Sequence, residues 1–156
     1  GLGIFVGRLF MVLTTTGRRS SLTHRTAIEF HEYKGKRYVF SAWGKRADWL
    51  RNIETNPHVT IQTWRGAESV LARRITSDLE LAEAFEFARS NPSLRIIMKS
   101  FGFEMDLDQF ISQKERFTFI MFDPTNQSTP EPLKANLWWV WILIVPICVV
   151  LTMFLI

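Results

Sequence analysis

The sequence contains a single cysteine, Cys148, among its 156 residues. One thiol cannot close an intrachain disulfide, and a lone cysteine supplies no thiolate metal site. Histidine is almost as scarce: His24, His31 and His58 are scattered along the chain and show no metal-ligand spacing. The sequence also lacks a nucleotide-type glycine fingerprint, a phosphate-loop lysine motif and a serine in nucleophile-elbow context. Basic residues are not interleaved with stacking aromatics along a recognisable motif, which argues against a nucleic-acid partner. These absences leave metal and hydrolytic chemistry without support, and neither a metal ligand nor a catalytic side chain is assigned.

What is present begins with charge. The formal net charge is +4. Arg18, Arg19, Arg25, Lys34, Lys36, Arg37, Lys45 and Arg46 cluster early, while acidic residues concentrate between Glu68 and Glu115. A mild, uneven excess of this sign suits an anionic ligand or a membrane surface. The chain opens on Gly1 rather than methionine, so a segment upstream is expected.

The second feature is the C-terminal apolar run. Residues 137–156 carry no charge, and Trp138, Trp139 and Trp141 crowd one end. About twenty helical residues rise about 30 Å, the thickness of a bilayer's hydrocarbon core. The pattern predicts a transmembrane helix over residues 136–156, with membrane lipid as its surroundings. Flanking basic residues lie on the N-terminal side only, which favours a cytoplasmic domain on a single-pass membrane protein. Before it, residues 124–135 hold Pro124, Pro130 and Pro132 and read as an extended linker. Residues 1–123 read as one domain of ordinary size.

Within that domain, β-favouring runs cover residues 9–15, 24–33, 37–43, 59–64, 69–75 and 117–122. Lys34-Gly35 and Arg65-Gly66 supply turns. Helical patterns fall at residues 48–54, 78–89 and from Pro92 onward, with Ser77-Asp78-Leu79-Glu80 in the form of a capping box. About six short strands in hairpins, with helices after the third and fifth, predict a mainly β fold: a small antiparallel barrel with inserted helices.

Two stretches carry chemistry. In Thr14-Thr15-Thr16-Gly17-Arg18-Arg19-Ser20, followed by Arg25, a strand ends in hydroxyls, turns at glycine and presents adjacent guanidinium groups. That combination makes a phosphate cradle or, equally, a basic hairpin tip. In Ser41-Ala42-Trp43-Gly44, continuing to Asp48-Trp49, small residues at a strand end let a flat ring approach the backbone. Asp48 can cap the next helix, and Trp43 and Trp49 offer either aromatic walls or core.

Together with Gly1-Leu2-Gly3, Gly7-Arg8, residues 41–53 and Asn56-Pro57-His58-Val59, these motifs, in this order over residues 1–123, resemble the deazaflavin-dependent nitroreductases. These are split-barrel relatives of the FMN-binding flavoproteins. The resemblance implies a six-stranded split β-barrel that binds coenzyme F420 and passes a hydride to a quinone or nitroaromatic acceptor; FMN is the alternative cofactor, and haem is bound by other relatives of the barrel. It implies Thr16, Arg18, Arg19, Ser20 and Arg25 along the cofactor's phosphate side. Ala42, Trp43 and Gly44 would lie near its ring, with Asn56 and Pro57 by the groove. Trp43 stands where the best-known members carry a lysine. The region of Phe101, Phe103 and Phe110, where those members place tyrosines, would meet the quinone. A non-catalytic subunit of a larger membrane complex is the competing expectation.

Overall fold

The computed structural model describes residues 10–41, 47–114 and 117–134. Its described strands are β1 (Phe10–Thr16), β2 (Thr23–Glu29), β3 (His31–Tyr33), β4 (Lys36–Ser41), β5 (His58–Thr63), β6 (Gly66–Arg74) and β7 (Thr118–Pro124). Helix α1 (Asp48–Thr55) joins β4 to β5, and α2 (Asp78–Ser90), α3 (Pro92–Ser100) and α4 (Leu107–Ser112) fill the connection from β6 to β7. All strand pairs are antiparallel, in the order β2-β1-β5-β6-β7-β4-β3.

The two edge strands, β2 and β3, are separated in sequence by Phe30 alone. The sheet therefore curls until its edges adjoin, giving a half-barrel. Alternation predicts one strand over residues 24–33. Instead the chain changes partner at Phe30, with β2 on β1 and β3 on β4, while the Phe30 ring stays in the inner core. The six-stranded expectation is thereby corrected to seven strands.

The expected transmembrane helix over residues 136–156 lies outside the described residues. Among the described residues no helix is long and apolar enough to cross a membrane. The longest, α2, has 13 residues and rises only about 20 Å. The fold class is corrected to a mainly β half-barrel of seven described strands with short helices, and the described residues give the single-pass location with a cytoplasmic domain no support.

Period-2 alternation places a core on each face of the sheet. Ile120 and Phe122 of β7 face inward with Leu13, Val59, Ile61 and Val70. Phe119 and Met121 face outward, against α2, α3 and α4. Helix α1 closes the inner core with Leu50 and Ile53. At α2, Ser77 is the N-cap residue but its hydroxyl makes no capping bond. Glu80 is drawn instead into a two-bond pair with Arg73, at 2.9 and 2.5 Å, a stronger partnership than a neutral cap. Sequence reading also passes over α4, capped by the Asp106 carboxylate accepting from Gln109 N at 2.9 Å.

Residues 125–134 are a strap rather than a free linker. Thr125 N donates to Ser69 O at 3.2 Å, and Thr60 Oγ1 donates to Pro130 O. The Gln62 side-chain amide brackets the backbone of Leu133, donating to its oxygen at 3.3 Å and accepting from its nitrogen at 3.1 Å. The strap thus crosses the outer face of β5 and β6.

Candidate functional site

The β1–β2 hairpin closes through residues 17–22, and the hydrogen bonds of this turn define the site. Gly17 N donates to Leu22 O (2.7 Å) and Ser21 N to Gly17 O (2.9 Å). Leu22 N donates to Ser20 Oγ (3.3 Å), and Arg18 N to Asn52 Oδ1 (3.1 Å). The remaining two amides, of Arg19 and Ser20, have no partner among the described residues. Successive free N–H groups in a tight turn make an anion-binding concavity.

Gly17 is a point of close approach. A Cβ there would lie 2.6 Å from both His24 Nε2 and Ser20 Oγ, so both side chains would have to move. These two groups fold over the glycine and sit 3.3 Å apart. Ser21 takes up a left-handed conformation (φ 56°) to complete the turn.

The other wall comes from α1. Asp48 and Asn52, four residues apart, share one face of the helix, while Leu50 and Ile53 bury the opposite side. Both reach Arg18: its Nη2 lies 2.9 Å from Asp48 Oδ1, and its Nη1 donates to Asn52 Oδ1 at 3.2 Å. Asn52, 4% exposed, also donates through Nδ2 to Thr15 Oγ1 at 3.3 Å. Asp48 is therefore not the helix cap expected of it. Ala47 holds that position, and the Asp48 carboxylate serves the arginine. The result is a cleft of about 230 Å³ lined by Gly17, Arg18, Arg19, Ser20, His24, Asp48 and Asn52. With Arg18 offset by Asp48, Arg19 leaves the lining net positive. Arg19 itself has no hydrogen bond or ion pair among the described residues.

Of the residues singled out in the sequence, Arg18, Arg19 and Ser20 come together here. Arg25 does not join them: it lies on the outer sheet face, in register with Thr14, and reaches Glu131 O on the strap at 3.4 Å. Thr16 ends β1, paired with Thr23, and does not line the cleft. Asn56 and Pro57 have structural duties. Asn56 terminates α1 and accepts from His58 N at 3.2 Å, and Pro57 O accepts from Ala72 N at 2.8 Å. Ala42, Trp43 and Gly44 lie outside the described residues. Trp49 is half-buried against the inner core. Phe103 and Phe110 are buried in the outer core, whereas Phe101 is 43% exposed.

Sequence reading missed Asn52 and His24. Asn52 carried little local signal: it lies between Leu50 and Ile53 in sequence but on the Asp48 face of the helix, where the hairpin buries it. His24 carried no local signal, because only the hairpin brings it over Gly17. Among the described residues, no group of three or more histidine, cysteine or acidic side chains could hold a metal ion.

The model of the F420H(2)-dependent quinone reductase family matches residues 3–95, more than half of the chain and including the whole cleft lining. The chain belongs to this family. Two solved structures share its fold. One is a candidate pyridoxamine 5′-phosphate oxidase from Listeria innocua, with 19% identity, TM-score 0.51, and 81% of this chain and 90% of that one covered. The other is a candidate 5-nitroimidazole antibiotic resistance protein from Bacteroides thetaiotaomicron, with 14% identity, TM-score 0.52, and 80% and 76% covered. No curated protein sequence matches. For a member of a quinone reductase family, redox chemistry carried by a bound coenzyme is the relevant frame, and the cleft residues are consistent with an anionic portion of such a group. Gly17 clears its floor, two amides are free, and an arginine and a hydroxyl stand beside them.

Proposed function

We propose that this chain is a deazaflavin-dependent oxidoreductase that reduces a quinone, and that the 17–22 turn holds the phosphate-bearing tail of coenzyme F420. The observation that carries the reading is the pair of unpartnered amides at Arg19 and Ser20, set beside the Arg19 guanidinium in a chain of this family. When bound, the reduced coenzyme supplies a hydride. The protein's part is to bind and orient. Arg19 neutralises the anion, and its amide and that of Ser20 donate to it. Arg18, already engaged by Asp48 and Asn52, braces the turn. Ala42, Trp43 and Gly44 are assigned to the ring side on the family resemblance alone.

The test is oxidation of reduced coenzyme F420 by a water-soluble naphthoquinone, with a nitroaromatic as second acceptor and reduced FMN as the alternative donor. The reading expects turnover that depends on the protein and on the deazaflavin. Turnover no faster than in buffer for both acceptors would refute it.

A further inference from the structure

We infer that Asn52 is a positioning residue for the anion cradle, acting through Arg18; the inference rests on the cofactor reading just given. One oxygen, Asn52 Oδ1, accepts from both the backbone amide and the guanidinium of the same residue, at 3.1 and 3.2 Å. Two bonds from one arginine to one buried acceptor fix both the direction of the chain entering the turn and the place of its side chain. The amide is itself held at its other end, because Nδ2 donates to Thr15 Oγ1 at 3.3 Å. That bond sets the oxygen toward Arg18 rather than away from it.

The consequence falls on the next two residues. Arg18 N is bound to Asn52 of α1, so Arg19 and Ser20, whose amides are free, begin from a fixed peptide. The side chain of Arg18 is only 22% exposed and is closed on its far side by Asp48, itself 78% exposed. Arg18 is thus held as a strut between the hairpin and α1, and Arg19, without a partner among the described residues, is left as the anion-meeting charge. A site preorganised this way avoids the ordering cost that a free six-residue turn would incur on binding.

The experiment measures the dissociation constant of oxidised coenzyme F420, by fluorescence, for Asn52→Leu, Arg18→Met and the double variant. Each single change is expected to weaken binding about tenfold, the scale of one lost hydrogen bond to a charged group. The double variant should be no weaker than either single one, since both remove the same strut. In quinone reduction the loss should fall on the apparent KM for the coenzyme more than on kcat. A general structural role for Asn52 would instead make the two losses multiply, and that result overturns the inference. So does a folded Asn52→Leu protein that binds within twofold of wild type.

Should Asn52→Leu not fold, Thr15→Val releases the same amide without removing it and is expected to weaken binding about threefold; unchanged binding there overturns the inference. Inorganic pyrophosphate, titrated by calorimetry, separates the two readings. If wild type binds pyrophosphate but no deazaflavin, and the variants lose pyrophosphate, the cofactor reading fails while the cradle stands. If wild type binds neither, both fail.

Discussion

Replacing Phe110 by alanine should destabilise the folded protein rather than impair a substrate site. Phe110 is 1% exposed. Its ring stacks on Phe117 with centroids 4.5 Å apart and meets Phe85 at 5.3 Å and Phe119 at 6.0 Å. These partners come from β7, the segment before it, and α2, so truncation opens a cavity where three elements meet. A Phe→Ala change in such a setting costs about 3–5 kcal/mol, a large part of the roughly 5–15 kcal/mol that holds a domain folded. At about 3–5 °C per kcal/mol for a domain of this size, the midpoint should fall by roughly 9–25 °C. Urea unfolding, followed by circular dichroism, should show a lower midpoint with an unchanged slope. Quinone KM, measured well below the new midpoint, should not change. A loss under about 1 kcal/mol together with a raised KM would refute the argument and return Phe110 to the substrate side.

Gly17→Ala should leave the barrel folded but displace Ser20 and His24, whose atoms would stand 2.6 Å from the new Cβ. Isothermal titration should show coenzyme binding weakened at least tenfold, the scale of one lost charged hydrogen bond. Gln62→Ala removes both bonds to the Leu133 backbone. The Leu133 amide should then exchange with solvent faster and the strap be cut sooner by protease, at a global cost of only about 1 kcal/mol. Burial lowers the pKa of His31 from its ordinary 6.5, with Glu29 partly opposing. Folding therefore favours the neutral ring. Its contribution to stability is complete above pH 6.5 and is lost as pH falls from there toward the folded value. His31→Gln should flatten that part of the stability–pH curve.

The strands were legible as short β-favouring runs bounded by turn residues; β7, with a core on each face, reads as a continuous apolar run rather than an alternation. The break at Phe30 was not legible. Residues 24–33 keep their alternation across it, and only closure of the sheet requires the chain to change partner there. Capping failed in two instructive ways. Ser77 and Asp48 have the right identities, but each neighbourhood offers an arginine, and Glu80 and Asp48 bond to it instead. At the site, Arg18, Arg19 and Ser20 were readable as a group because they are contiguous in one turn. Arg25 stands apart from them, because sequence proximity does not show which sheet face a residue takes. Asn52 could not be paired with Arg18 from sequence, since 34 positions separate them. In the aromatic stretch from Phe101 to Phe110, Phe103 and Phe110 are core and Phe101 is exposed; phenylalanine serves core and ligand contact alike, and only burial tells them apart.

The central claim is that the Arg19–Ser20 end of the hairpin turn captures an anionic coenzyme. Titration of wild type and Arg19→Ala with oxidised coenzyme F420, at low and physiological salt, tests it most directly. The account predicts saturable binding that weakens with salt, and about tenfold weaker binding with a shallower salt dependence once Arg19 is removed. Equal affinity for the two proteins at both salt concentrations, or no binding by wild type, would contradict it.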